Sequence, residues 1–196
     1  MPRRSTHGPR PVQSKLYEVA AAQAGYFTAR EAAEAGYSLP LLHHHVDAGR
    51  FERAARGIFR LVQYPPSDHE DLVVLWLWSS RHGVFSHETA LTLHGLSDAL
   101  PANRHLSLPA SWSRRRLRVP AATTLHYADL STDEIAWSGP IPVTSVVRTI
   151  VDCAVARADP RMVSQARHQA TRRGLCHREE LEAALRAAGV ARRRSR

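Results

Sequence analysis

The stretch that most constrains this chain runs from Phe27 to Leu61, FTAREAAEAGYSLPLLHHHVDAGRFERAARGIFRL. Thr28 is an N-cap residue type, and Glu31 three positions on completes a capping box, so a helix opens at about Ala29. Ala29 to Ala35 is rich in helix formers, and Gly36 sits where a C′ glycine ends a helix. Ser38 is the next cap, and Pro40 lies in the first turn of a second helix, where a missing N–H costs nothing. Leu39, Leu42 and Val46 follow helical spacing and are expected to face the core, which turns Pro40, Leu41, His44 and, at the edge, His45 outward. Gly49 stops this helix. FERAARGIFRL then gives two short strand-like runs around a turn at Ala55-Arg56-Gly57, with Arg50, Arg53, Arg56 and Arg60 crowding the hairpin. Helix, turn, helix and basic hairpin are the outline of a winged helix-turn-helix. Such a unit lays an α-helix in the major groove and neutralises phosphates with its arginines. Ser38, Leu41, His44, His45, Arg50, Arg53 and Arg56 are the candidate DNA-binding residues; the competing reading is a small helical subdomain with a solvated basic hairpin.

Charge supports the division of labour. The 196-residue chain carries 27 basic against 18 acidic residues, a net +9, and Lys15 is its only lysine. Residues 1–66 hold 9 basic and 5 acidic groups, 67–187 hold 14 and 13, and 188–196 hold 4 and none. A basic excess on the helix-turn-helix suits a nucleic-acid partner, while the near-neutral middle suits protein contact or a structural role. The expected organisation is a disordered basic arm over 1–12, the winged unit over 13–66, a second domain over 67–187 and a basic tail over 188–196. The arm, with Arg3, Arg4 and Arg10, either reaches a minor groove or is simply solvated.

Leu16, Val19, Ala20 and Ala24 place a first helix beneath the helix-turn-helix pair. Tyr64-Pro65-Pro66-Ser67 is a stiff turn that marks the domain boundary. Beyond it, helices are expected from Asp68 or Ser67 to about Ser80, from Ser86 to Gly95, after Ser145, from Asp159-Pro160 to about Arg173, and over REELEAALRAAGV. Short strands are expected at His105–Leu108, Arg116–Val119, Thr124–Ala128 and across Ile135–Val143, where Gly139-Pro140 interrupts the run. The fold class is therefore α+β: a winged helix-turn-helix followed by a mixed α/β domain with short strands and terminal helices. SWSRRRLRVP is either a nucleic-acid contact or a solvated strand or loop face.

Several chemistries are not expected. The longest apolar run, Leu72 to Trp78, is too short to span a bilayer, and no targeting peptide is visible. Two cysteines suit a reducing cytoplasm, with Cys153 as a small core residue. Cys176, near a helix N-terminus, has no partner base for catalysis. Consecutive His43, His44 and His45 diverge around a helix, and His87-Glu88 with His94 lacks the spacing of a zinc-binding helix, so neither metal nor other cofactor is expected. No phosphate-cradling loop or nuclease-like acidic pair points to an enzyme.

With these residues in view, a family resemblance is apparent. Residues 25–61 resemble the N-terminal domain of the AbiEi antitoxins of bacterial toxin-antitoxin pairs, with Ser38, Leu42, Gly49-Arg50-Phe51 and Arg56-Gly57-Ile58-Phe59-Arg60-Leu61 in the family's run, and PIPVTSVVRTIVDCA also matches the family's habit. The second helix departs from it, carrying Pro40, Leu41 and histidines where relatives usually carry arginines. The resemblance implies a cytoplasmic, non-catalytic antitoxin that represses its own operon and neutralises a nucleotidyltransferase-like toxin. The alternatives are a plain winged-helix regulator with a dimerisation domain, or a nucleic-acid processing enzyme. Toxin contact is expected on the last two helices, through Arg161, Arg167, Arg172, Arg173 and Arg178.

Overall fold

A computed structural model describes residues 11–97 and 101–190. The arm residues Arg3, Arg4 and Arg10 and the tail residues 191–196 lie outside the described residues. Val12, placed in the arm by sequence, donates its N–H to Ala35 O at 2.8 Å, and Val190 at the other end packs on the second core. The chain forms two compact units, Met1–Arg81 and His82–Arg196.

In the first unit the elements run α1 (Gln13–Ala21), β1 (Tyr26–Thr28), α2 (Ala29–Glu34), α3 (Leu39–Asp47), β2 (Phe51–Ala55), β3 (Ile58–Leu61) and α4 (Glu70–Trp78). β3 lies between β1 and β2 in a three-stranded antiparallel sheet, the topology of a winged helix-turn-helix. Thr28 and Glu31 form the reciprocal capping box that opens α2. At its other end Tyr37 N–H reaches Ala32 O and Gly36 N–H reaches Ala33 O, a Schellman closure with Gly36 at φ +89°. The core gathers Leu16, Ala20, Phe27, Ala32, Ala35, Tyr37, Leu42, Phe51, Phe59 and Leu61. Phe27 sits edge-on to Phe51 and stacks on Phe59, with centroids 5.1 and 5.8 Å away. β1, too short to stand out in the sequence, is held in place because Thr28 pairs with Ile58 and Ala29 N–H binds Gly57 O.

The turn at Tyr64-Pro65-Pro66-Ser67 does not end the unit. α4 packs back on β1 and β3. Glu70 accepts from Tyr26 Oη at 3.0 Å and pairs with Arg60 at 3.4 Å. Neither Ser67 nor Asp68 caps α4: its N-cap is His69, in a left-handed conformation, while Ser67 N–H binds the Glu70 carboxylate at 3.1 Å.

The second unit is built on a five-stranded mixed sheet of β4 (Val84–Phe85), β5 (Arg104–Leu108), β6 (Thr123–Tyr127), β7 (Ile135–Ser138) and β8 (Ile141–Thr144), in the order β6-β5-β4-β8-β7. The remaining helices are α5 (His87–Leu93), α6 (Val146–Val155), α7 (Pro160–Arg172) and α8 (Arg178–Ala187). They share a core of Leu91, Leu96, Ile150, Cys153, Val163, Ala166, Ala170, Leu181 and Leu185. Arg148 on α6 is an internal tie, donating to Glu134 and Asp152 at 2.7 Å each. Arg116–Val119 is not a strand. β5 and β6 pair in parallel, which demands a long crossover, and the chain from Pro109 to Ala122 is that crossover. Within it, Arg115 stacks over Trp112 at 4.1 Å from the ring centroid.

Candidate nucleic-acid interface

α3 begins where Ser38 caps it, accepting from Leu41 N–H at 3.4 Å. Its exposed stripe is Leu39, Pro40, His43, His44 and Asp47, positions that repeat at helical spacing on the face away from Leu42. This corrects the assignment of two leucines. Leu39 is 62% exposed, whereas Leu41 packs against the core. Leu39 opens the helix, and its side chain therefore projects beyond the core rather than into it. The inward face instead takes Leu41, Leu42, His45 and Val46.

His45 is also turned inward, toward the wing. Its ring stacks on Phe51, with centroids 4.7 Å apart and planes 16° from parallel, and its Nδ1 accepts from Arg50 Nε at 2.9 Å. Partial burial and the neighbouring charges of Arg50 and His44 hold its pKa below the usual imidazole range. His45 and Arg50 thus buttress the start of the wing. Of the seven sequence candidates, His44, Arg53 and Arg56 stand free toward solvent, Ser38 and Arg50 are exposed but engaged, and Leu41 and His45 are packing residues. His43 joins the exposed face, a position that a correct helical phase would have revealed.

The wing is short. β2 and β3 pair from Phe51↔Leu61 to Arg53↔Phe59, and the register then shifts so that Ala54 is an extra residue before Ala55↔Ile58. Such a bulge increases the local twist. Gly57 supplies the positive φ of +72° that the tip requires. Arg53 and Arg56 are both exposed, one on the strand and one at the tip. An exposed helix flanked by two free guanidinium groups can meet base edges and phosphates together.

The five arginines of the proposed toxin face divide in the same way. Arg161, Arg172 and Arg178 are exposed. Arg167 bonds Glu182 at 2.5 Å and so ties α7 to α8, while Arg173 donates to Gly95 O at 2.8 Å. The expectation of no metal group weighed only histidines near one another in sequence; the fold also gathers His87, His105 and His126 from three elements.

No curated protein matches the chain. Its fold is similar to that in the crystal structure of the RV2827C protein from Mycobacterium tuberculosis, with a TM-score of 0.51 at 14% identity over 93% of this chain and 84% of that one. No helix among the described residues is long and apolar enough to cross a membrane. Residues 14–62, from α1 through the wing, match the family model described as "Transcriptional regulator, AbiEi antitoxin".

Proposed function

We propose that the protein is a non-catalytic antitoxin that represses its own operon through the winged unit and neutralises a nucleotidyltransferase-like toxin through the second unit. The observation that carries the repressor half is the exposed α3 stripe beside the free guanidinium groups of Arg53 and Arg56. α3 offers Ser38, His43 and His44 for base edges, and the wing arginines take phosphates. Leu39 and Pro40 add an apolar contact of the kind that meets a thymine methyl.

For the toxin half, α7 and α8 bury Val163, Ala166, Ala170, Leu181 and Leu185 and leave Arg161, Arg172 and Arg178 outward. Arginine is enriched at protein interfaces, and this face is complementary to an acidic nucleotide-handling cleft.

Two measurements on the full chain test the two halves separately. Gel-shift titration against DNA upstream of its own gene should show saturable binding that competitor DNA of unrelated sequence removes only at large excess. Equal competition by unrelated DNA would overturn autorepression. Co-expression with the neighbouring gene product should relieve toxicity with the wild-type chain and fail when Arg161, Arg172 and Arg178 are all replaced by glutamate. Full rescue by that folded variant would remove these arginines from the interface. A neighbouring product that is not toxic would remove the antitoxin assignment and leave a plain regulator.

A further inference from the structure

The sheet of the second unit brings three imidazoles together that lie far apart in sequence. His105 and His126 project from adjacent parallel strands, with Ser107 paired to His126 and His105 to Thr124, so the two histidines share one face on a diagonal. His87 joins them because it opens α5 directly after β4, whose Phe85 pairs with Leu106. Thr89 on α5 accepts from His105 N–H at 2.8 Å and locks helix to strand.

One ligand nitrogen from each ring lies within 4.8 Å of the other two. His105 Nδ1 and His126 Nε2 are 3.0 Å apart. Four-coordinate zinc holds its nitrogens at about 2.0–2.1 Å, which places neighbouring donors roughly 3.3 Å from each other, close to this pair. His87 stacks on His126 with centroids 3.6 Å apart and planes 15° from parallel, so its side chain would have to turn on metal binding for its lone pair to converge on that point.

Two further observations set this cluster apart from ordinary packing. The first is a supporting shell: His87 Nδ1 lies 2.9 Å from Ser86 Oγ, which itself accepts from Ser107 Oγ at 2.7 Å. In the tautomer whose Nδ1–H donates to Ser86, Nε2 keeps its lone pair, and an outer hydrogen bond of this kind is the usual device for orienting a metal-bound histidine. The second is backbone conformation. His87 is 8% exposed and adopts φ +53°, a left-handed conformation that non-glycine residues avoid and that clusters at functional sites.

We propose that His87, His105 and His126 form a binding site for one divalent cation of the zinc class, with a fourth coordination position left to water. Imidazole donors favour zinc, cobalt, nickel and copper over magnesium and calcium. The ion would join α5, β5 and β6 at one point, and its binding free energy would add to the stability of the second unit. This site is independent of the DNA and toxin proposals above.

The test uses the full chain, stripped with chelator and titrated with cobalt and with zinc. One equivalent of cobalt should give the visible absorption of a four-coordinate ion, zinc should displace it, and zinc should raise the thermal midpoint. His105→Gln and His126→Gln should each weaken binding by about tenfold or more, at least the loss seen when a supporting residue is removed. The double variant His168→Ala/His177→Ala, at exposed positions on and beside α7 and α8, should bind as the wild type does. Less than one equivalent bound, affinity unmoved by both glutamine variants, or loss in the His168/His177 variant would each overturn the site. Should either glutamine variant fail to fold, the wild-type imidazole NMR signals decide: zinc must shift three histidines in one step, and an unshifted spectrum refutes the proposal.

Discussion

Glu31 holds Arg81 with the carboxylate oxygen that it does not use to cap its own helix. Oε2 accepts from Thr28, at 2.7 Å from both the amide and the hydroxyl, while Oε1 takes Arg81 Nη2 and Gln23 Nε2. The glutamate is 7% exposed, so each of its partners matters. Arg81→Ala should destabilise the first unit by about 2 kcal/mol, since a buried carboxylate loses its charged partner. Thr28→Ala should cost about 1 kcal/mol as a lost cap. Denaturant unfolding followed by circular dichroism checks both, and an Arg81→Ala loss no larger than that of Thr28→Ala would show the ion pair to be solvated.

Tyr26 and Glu70 make the first unit sensitive at both ends of the pH scale. Burial alone would raise Glu70, but hydrogen bonds from Ser67, Tyr26 and Arg60 outweigh it and hold the carboxyl below its usual range. Its contribution is present above the unfolded value near 4.5 and is lost as pH falls through the lower folded value. Burial and the hydrogen bond to Glu70 push Tyr26 up to about 12, so its contribution is full below 10 and is lost as pH rises through 12. Tyr26→Phe should flatten the alkaline limb of a stability-against-pH curve and move the Glu70 titration, followed by NMR, back toward 4.5. An unmoved Glu70 would show that the hydroxyl does not donate to it.

The phase of α3 makes a direct prediction. Leu41→Ala should cost about 1–2 kcal/mol, less than a fully buried leucine, while Leu39→Ala should stay within about 0.5 kcal/mol. In gel shifts the order should reverse, with Leu39→Ala weakening sequence-specific binding. Equal stability of the two variants would return Leu41 to the outward face.

Arg53 and Arg56 should act on all DNA sequences alike. Replacing both by alanine should lower affinity for specific and unrelated duplexes together, and should reduce the slope of log affinity against log salt by roughly two, about one per lost phosphate contact. Fluorescence anisotropy at four salt concentrations suffices, and an unchanged slope would place the wing off the DNA.

Cys153 should resist alkylation in the folded protein. It is fully buried, and desolvation, with the nearby carboxylates of Glu88 and Asp152, pushes its thiol to about 12. Iodoacetamide followed by mass spectrometry should label the partly exposed Cys176 alone until denaturant is added. Equal labelling of both under native conditions would mean that the α6 core opens readily.

What the sequence revealed of this molecule follows the range of the interactions involved. The Thr28–Glu31 box, the Gly36 closure, the Ser38 cap and the Gly57 tip are each settled within a few residues, and all were legible. The phase of α3 is not legible locally, because a single helix turn offers Leu39, Leu41 and Leu42 together and only the tertiary core selects among them. β4 has two residues, Val84 and Phe85, and exists because β5 and β8 flank it. The histidine cluster was hidden for the same reason: strand register, which no local spacing encodes, sets His105 and His126 on a diagonal of one sheet face.

α4 has a consequence for inheritance. The family-matched segment closes at residue 62, yet the tyrosine of β1 and the capping glutamate of α2 find their partners at Glu70 and Arg81. A recombination event that transplanted only the matched segment onto a new partner domain would strand a buried carboxylate and an unpaired phenol. The piece that can be exchanged intact among proteins therefore extends through Arg81, and shuffling should leave its scars beyond α4 rather than at the proline turn.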